Sequence, residues 1–257
     1  MTTAWTTDVA TPDPARAVRL SLLWGLDGVV LRTVGGGRVP TINEAPLRRR
    51  LDEAELPVLA VDPGLFEGAV AARAGWLDDL DALDAVAAFC RRMGCRLVRV
   101  GALAAAAETD GAAEALRQAG ERAARHGLRL AVRNEAGTAV ATGDALAALL
   151  DATHHPAVGA DWRPADAHQA GEPPAAGLAA LVDAGRAPWV VSVRDLASDG
   201  SRAVVGDGVL GWDAHLAALA AAGASGPLVI DDLPHPVRST GLASATGLIR
   251  SARRVAR

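Results

Sequence analysis

The sequence predicts an α/β protein that folds as one closed (β/α)8 barrel spanning residues 1–257. Short β-branched runs alternate with longer alanine- and leucine-rich segments, as in parallel strands joined by helices. The alternation occurs eight times, at a spacing of roughly 30 residues, and no linker-like stretch divides the chain. A doubly wound sheet has the same periodicity, so the length and the count of eight favour the barrel.

Eight runs have the composition of strands that are buried on both faces, as a parallel sheet requires. The first of them has the weakest pattern. The predicted strands are Trp5–Val9, Gly28–Arg32, Pro57–Val61, Arg96–Val100, Leu128–Arg133, Pro156–Asp161, Trp189–Arg194 and Pro227–Asp231.

The segments between these strands carry helix start and stop signals. Pro14 stands in the first turn of its helix, and Gly94 and Gly127 are the favoured left-handed stops. Thr41 and Glu44 have the spacing of a capping box, in which each side chain satisfies a free backbone N–H. The predicted helices are Pro14–Trp24, Glu44–Glu55, Trp76–Met93, Gly111–His126, Asp144–Ala152, Pro174–Ala184, Trp212–Ala222 and Leu242–Val255.

The composition argues against a nucleic-acid partner. The net charge is −4, aromatic residues make up 3% of the chain, and no basic block occurs, so an electrostatic footprint and a stacking surface are both missing. No stretch is long and apolar enough to span a membrane, and the first residues are polar, unlike a signal peptide. We therefore expect a cytoplasmic protein with no nucleic-acid or membrane partner.

All 26 basic residues are arginine. Without lysine, the chain cannot form a Schiff base with a carbonyl substrate or pyridoxal phosphate, and it has no P-loop cation. The two cysteines, Cys90 and Cys95, fit neither a disulfide framework nor a metal site, and we predict that they are small buried residues. We expect no cofactor.

Six segments near the predicted strand ends carry recognisable motifs. They are Gly25–Arg32, Leu128–Glu135, Trp162–Gly171, Val191–Asp195, Gly206–Trp212 and Gly226–Asp231. In this order they resemble the motifs of the sugar-phosphate isomerase/epimerase superfamily, the xylose-isomerase-like TIM barrels. The resemblance spans nearly the whole chain and implies the same barrel, whereas the reaction does not follow from a fold.

The resemblance also implies a metal site, in which strand ends supply two glutamates, an aspartate and a histidine to a divalent ion. The matching positions here are Arg133, Arg163, Ser192 and Asp231. A guanidinium group cannot donate a lone pair, and two such cations would repel a divalent ion. We therefore predict that no metal binds here, although Asp161, two residues before Arg163, offers a second carboxylate if the alignment slips.

Charged residues of both signs follow the predicted strands, which leaves two interpretations open. In the first, Arg133 and Arg163 pair with Asp231 and Asp161 and plug the mouth, giving a catalytically silent barrel that serves binding or assembly. The other charges at the strand ends are Arg32, Arg99, Arg194, Asp8, Asp62, Asp195 and Asp232.

In the second interpretation, the arginines bind an anion, because guanidinium is a bidentate partner of carboxylate and phosphate. Arg133 or Arg163 then replaces the metal as the electrophile that stabilises an enediolate, with Asp231 as the general base. The ligand is a small anionic sugar, polyol or hydroxy acid. The predicted ligand-binding residues are Ser192, Arg194, Trp162, Asp161, Arg32 and His235.

Two classes of function therefore stay open, a metal-independent isomerase or epimerase and a non-catalytic binding barrel. Geometry discriminates between them: an open cavity among Arg133, Arg163 and Asp231 favours the enzyme, and pairs that close the mouth favour the silent barrel. The resemblance implies a homo-oligomer, a dimer or a tetramer, although nothing in the residues shows an interface.

Overall fold

The computed structural model, which describes residues 1–68, 73–103, 111–235 and 237–255, contains a closed barrel of eight strands. Each strand pairs in parallel with its neighbours, and the first strand closes the barrel by pairing with both the second and the eighth. The barrel strands are β1 Thr3–Thr6, β2 Gly28–Leu31, β3 Val58–Val61, β4 Leu97–Val100, β5 Arg129–Arg133, β6 Val158–Trp162, β7 Val190–Val193 and β8 Leu228–Ile230. The predicted (β/α)8 barrel is confirmed.

The first strand lies earlier than the sequence predicts. β1 begins at Thr3, whose backbone N–H and hydroxyl both donate to the Asp27 carboxylate, at 2.7 and 2.8 Å. Residues Thr7–Val9, which we predicted to be strand, form a 3-10 turn. Asp27, just before β2, therefore holds the start of β1, and the strand ends at Thr6.

Helices follow the strands, as the alternating pattern predicts. In the described residues they are α1 Pro14–Trp24, α2 Ala45–Glu53, α3 Arg73–Met93, α4 Ala112–Arg125, α5 Gly143–Thr153, α6 Pro164–Gln169, α7 Pro174–Asp183, α8 Trp212–Ala221 and α9 Val237–Val255. The short α6 was not predicted, because six residues carry too little periodicity to be recognised.

The helix ends show which of the predicted start and stop signals are correct. Gly94 and Gly127, which follow α3 and α4, have φ angles of 70° and 68°, so both left-handed stops are confirmed. The predicted capping box is wrong: the Thr41 hydroxyl donates to the carbonyl of Arg38 at 2.8 Å, and Glu44 has helical backbone angles. The Glu44 carboxylate accepts from Arg92 of α3 instead, which draws it away from the helix end.

Two short hairpins extend from the carboxyl ends of the barrel strands. One follows β2 and pairs Thr33–Val34 with Gly37–Arg38, and the other follows β7 and pairs Asp195–Leu196 with Arg202–Ala203. The second hairpin and the loop behind it form one wall of the mouth, so their anchoring bears on the site.

The core confirms the prediction about the cysteines. Cys90 and Cys95 are buried free thiols. Trp5 and Trp212 are almost completely buried, so both rings pack in the core. Within the described ranges, no helix is both long enough and apolar enough to cross a membrane.

Candidate functional site

A buried arginine occupies the centre of the barrel near the carboxyl ends of its strands. Arg99 lies on β4 with 1% of its surface exposed, in a run that is otherwise apolar. Its Nε donates to Asp161 Oδ2 on β6 at 2.7 Å, and its Nη2 donates to Asp231 Oδ2 after β8 at 3.2 Å. Nη2 also donates to the Ser192 hydroxyl on β7. One guanidinium therefore links β4, on which Arg99 lies, to β6, β7 and the end of β8.

The partners of Arg99 are bonded to one another. The Ser192 hydroxyl donates to Asp161 Oδ1 at 3.0 Å, so Asp161 uses one carboxylate oxygen for the serine and the other for the arginine. Asp161 is fully buried and Ser192 is 2% exposed. A buried charge needs partners of this kind, because an unpaired ion inside a protein loses several kcal/mol of hydration.

A second ion pair lies beside the first. Arg133, at the end of β5, donates through Nη2 to Asp62 Oδ1 after β3 at 2.9 Å, and its Nε donates to the Val100 carbonyl at 3.3 Å. Arg38, from the hairpin after β2, reaches the same Asp62 oxygen at 3.2 Å. Burial raises the pKa of Asp62, but the charges of Arg133 and Arg99 outweigh burial and hold this pKa well below its usual range.

The sequence interpretation of Arg133 was therefore wrong in its partner. We expected Asp231 or Asp161, and Arg133 pairs with Asp62. The reason is that Arg99 extends between the two expected carboxylates and satisfies both of them.

The third pair agrees with the expectation. Arg163, directly after β6, donates through Nη2 to Asp231 Oδ2 at 3.1 Å. The Asn134 side chain holds its backbone on both sides, accepting from Arg163 N at 2.8 Å and donating to Arg163 O at 3.0 Å. Burial raises the pKa of Asp231, but Arg163 and Arg99 reverse this effect and leave it at about 2. Asp231 is therefore a carboxylate across the physiological pH range.

A pocket of about 340 Å³ lies above these pairs, and we call it the mouth pocket. Four guanidinium groups and two carboxylates face it. Its lining residues are Val9, Arg32, Arg163, Arg194, Arg202, Asp231, Asp232, Leu233 and His235.

The arginines of the mouth pocket are held by acidic neighbours. Arg32 pairs with Asp8 at 2.9 Å, and Arg194 pairs with Asp166 at 3.0 Å. The Nε–H groups of Arg163 and Arg194 are buried, and no acceptor for them lies among the described residues. The pocket therefore presents four arginines, each paired with an aspartate, and two of them have an unused Nε–H donor.

The predicted site residues divide into two levels. Five of them line the mouth pocket, and three belong to the buried ion pairs below it. The first group is Arg32, Arg163, Arg194, Asp231 and His235. The second group is Arg133, Asp161 and Ser192.

Trp162 belongs to neither level, so its predicted role in ligand binding is wrong. Its ring is fully buried, and its Nε1 donates to His215 Nε2 on α8 at 3.1 Å. Successive side chains of a strand point to opposite faces. Because Asp161 points into the barrel, Trp162 points outward and packs beneath the helices.

Arg99 and Asp62 are the residues that sequence reasoning missed, since it noted them only as charges at strand ends. The signal for Arg99 was local. An arginine between Val98 and Val100, in a run that reads as fully buried, requires a buried carboxylate partner.

The donors that remain do not match the metal set that the family resemblance implies. The candidate donors are Asp161, Asp231 and Ser192, and all three are hydrogen-bonded to the guanidinium of Arg99. Throughout the described part of the chain, no three histidine, cysteine, aspartate or glutamate side chains converge in a way that would hold a metal ion.

Comparison with known proteins agrees with the architecture. Solved structures with the same fold include a xylose isomerase-like TIM barrel/4-hydroxyphenylpyruvate dioxygenase fusion protein, at 22% identity and a TM-score of 0.78, and the match covers 98% of this chain and 42% of the fusion protein. A xylose isomerase domain protein from Planctomyces limnophilus matches at 18% identity and a TM-score of 0.76, over 99% of this chain and 97% of its own.

The 3-keto-D-glucoside 4-epimerase of E. coli matches at 14% identity and a TM-score of 0.77, over 98% of this chain and all of its own. At these identities the likeness shows the fold alone. A search of the curated proteins gave no match. The family model described as "Xylose isomerase-like TIM barrel" matches residues 18–253, and the chain therefore belongs to the xylose isomerase-like TIM barrel family.

Proposed function

We propose that this protein binds a small anionic ligand, one with a carboxylate or phosphate group, in the mouth pocket and without a divalent metal. The observation that carries the proposal is the lining of that pocket, in which four arginines face two aspartates. Guanidinium groups bind carboxylate and phosphate through two parallel hydrogen bonds, and the carboxyl ends of barrel strands are where such folds hold ligands.

The buried Nε–H groups of Arg163 and Arg194 support the same proposal. A buried donor without an acceptor lowers stability by roughly 1–3 kcal/mol. A ligand acceptor that reached either of these groups would recover that energy. The ligand thus completes an arrangement that the chain leaves unsatisfied.

We infer that no divalent metal binds at the strand ends because Arg99 occupies this position. Its guanidinium lies among Asp161, Asp231 and Ser192, so a cation that is part of the chain already neutralises these carboxylates. A divalent ion would have to displace this group and withstand the charge of Arg163 nearby, at a cost of several kcal/mol per unit charge at short range.

The closed centre favours a binding protein over an enzyme. Arg133 pairs with buried Asp62 and does not line the mouth pocket, while Arg163 and Asp231, which do line it, are paired with each other. Asp231 was the candidate general base, but its pKa of about 2 makes it a weak base at neutral pH. We therefore place the non-catalytic barrel first.

A metal-independent isomerase or epimerase is the second candidate. His235 favours it, because this side chain lines the mouth pocket together with Arg163. A histidine can carry a proton near neutral pH, and Arg163 could stabilise an enediolate oxygen. The epimerase named among the fold relatives suggests a hydroxylated carbon skeleton for such a substrate.

Calorimetric titration with inorganic phosphate, D-gluconate and D-glucose tests the binding proposal. We expect the two anions to bind and the neutral sugar to fail. Arg194→Gln should weaken anion binding by about tenfold, which is about 1.4 kcal/mol. Arg186→Gln is the matched control, because Arg186 is equally exposed at 22% and also pairs with an aspartate, but on the outer helices. Equal affinities in the two variants would overturn the proposal.

Elemental analysis tests the absence of the metal. Protein dialysed against Mn²⁺, Mg²⁺ or Zn²⁺ and then desalted should retain far less than one ion per chain. One retained ion per chain that is lost in Asp231→Ala would contradict the proposal, because it would show that the strand ends still form a metal site. If the protein isomerises or epimerises a small anionic sugar or hydroxy acid, and His235→Ala abolishes this activity, the isomerase is favoured over the binding barrel.

A further inference from the structure

A second cavity, of about 580 Å³, adjoins the mouth pocket. We call it the side cavity. Four residues line both spaces, so the two lie side by side. The shared residues are Arg194, Arg202, Asp232 and His235.

The far wall of the side cavity carries no charge, unlike the mouth pocket. Leu196 and Pro234 contribute apolar surface, and Gly200, which has no side chain, contributes backbone atoms. Gln169 and Ser201 add a neutral amide and a hydroxyl. An ion gains little from such a wall, whereas an uncharged group that is partly apolar gains from leaving water.

The wall between the two spaces is held in place. Arg194 donates to Gln169 Oε1 at 3.0 Å and pairs with Asp166 at 3.0 Å. Arg202 pairs with Asp232 at 2.5 Å. Arg194, with two partners, is therefore oriented before any ligand arrives, and the more exposed Arg202 stands beside it on its ion pair with Asp232.

The hairpin that forms the far wall is anchored from behind. The Asp195 carboxylate accepts from the backbone N–H groups of Leu196, Gly206, Gly208 and Leu210, at distances from 2.9 to 3.3 Å. Asp195 is 1% exposed. A buried carboxylate with four backbone donors fixes the loop behind the hairpin, so the side cavity is a built feature of the fold.

We propose that the ligand has two parts: an anionic group in the mouth pocket, beside Arg163 and Arg194, and an uncharged, partly apolar body that extends past Arg194 and Arg202 into the side cavity. This inference rests on the proposed function, because it places the anion where that proposal does. A volume of several hundred Å³ is the usual size for a small-molecule site, and a bare phosphate would leave most of it empty.

Calorimetric titration of inorganic phosphate and phenyl phosphate tests the inference, since the two probes differ by an uncharged ring. We expect phenyl phosphate to bind the unchanged protein at least tenfold more tightly than inorganic phosphate. Ser201→Trp should remove this difference, because Ser201 is exposed and faces the side cavity. Ser198→Trp is the matched control, since Ser198 is exposed on the same hairpin but does not line the cavity.

The outcomes separate the two proposals. If inorganic phosphate binds but phenyl phosphate gains nothing, or if Ser201→Trp and Ser198→Trp behave alike, the two-part ligand is wrong and the anion site stands. If neither probe binds, both proposals fail. Circular dichroism of the two variants confirms that each is folded before the titrations are compared.

Discussion

At the scale of single residues, Arg99 decides the character of the barrel centre. Its guanidinium contacts Asp161, Ser192 and Asp231, all of which are buried. Burial lowers the pKa of Arg99, but its two carboxylate partners, with Asp62 nearby, outweigh burial and raise it. Arg99 therefore stays charged, and its partners depend on that charge.

Replacing Arg99 should destabilise the protein strongly. Arg99→Met keeps much of the side-chain volume but leaves buried Asp161 and Asp231 without this cation, and breaking such a pair lowers the free energy of unfolding by about 3–5 kcal/mol. Urea unfolding measures the loss. Arg186→Met, which removes a pair on the outer helices, should change stability by less than about 1 kcal/mol. Similar losses in the two variants would show that Arg99 is not a structural cation.

His215 provides a residue-scale prediction about pH. Burial lowers the pKa of His215 to about 4, from 6.5 in an unfolded chain. Between these two pH values the His215 imidazole binds a proton in the unfolded chain but not in the folded protein. Stability should therefore fall as the pH drops from 6.5 towards 4, by about 1.4 kcal/mol per pH unit from this group.

Urea unfolding at several pH values between 7 and 4.5 tests this prediction. In His215→Gln the slope should be smaller, because glutamine does not titrate, while its amide oxygen can still accept from Trp162 Nε1. Parallel curves for the two proteins would mean that His215 does not carry this pH dependence.

At the scale of elements, the loop behind the second hairpin depends on the close approach of Gly208 to the Asp195 carboxylate. A Cβ added at Gly208 would lie 2.2 Å from Asp195 Oδ1, the group that anchors the loop. Gly208→Ala should therefore displace the carboxylate and lower the free energy of unfolding by about 1–3 kcal/mol. Thermal unfolding measures this change. Gly68→Ala is the control, because no atom of the described residues lies within 4 Å of that Cβ, and an equal loss there would contradict this explanation.

Elements were also where the sequence was most informative. The buried strands and the glycine stops of α3 and α4 follow from local patterns, and both were predicted within a few residues. The errors have physical causes. The capping box failed because Arg92 draws the Glu44 carboxylate to α3, and β1 was placed late because Asp27, distant in sequence, sets its start.

At the scale of the whole molecule, the sequence could place the charges at the mouth but could not pair them. Arg133 and Asp161 lie opposite each other in the register of β5 and β6, yet each has a different partner. Their pairing depends on Arg99 reaching across the barrel to Asp161 and on Asp62 lying beside Arg133. Such contacts across a closed barrel depend on the geometry of strands far apart in the chain.

The mouth also links the acid stability of the molecule to its ion pairs. Two buried arginines, one partly buried arginine and three buried aspartates hold strand ends from around the barrel together, so protonation of the aspartates acts on the whole fold. These residues are Arg99, Arg133, Arg163, Asp62, Asp161 and Asp231.

The pKa of Asp231 gives the sign and the range of this effect. It is about 2 in the folded protein and 3.8 in an unfolded chain, so its stabilising contribution is complete above pH 3.8 and is lost as the pH falls through about 2. In Arg163→Gln, Asp231 loses one of its two cations, and its folded pKa should rise towards the unfolded value. Acid unfolding followed by circular dichroism should then show a shallower loss of stability between pH 4 and 2 than the unchanged protein shows. Arg186→Gln should retain the original slope, and an unchanged slope in Arg163→Gln would mean that Arg163 does not hold Asp231 in its ionised form.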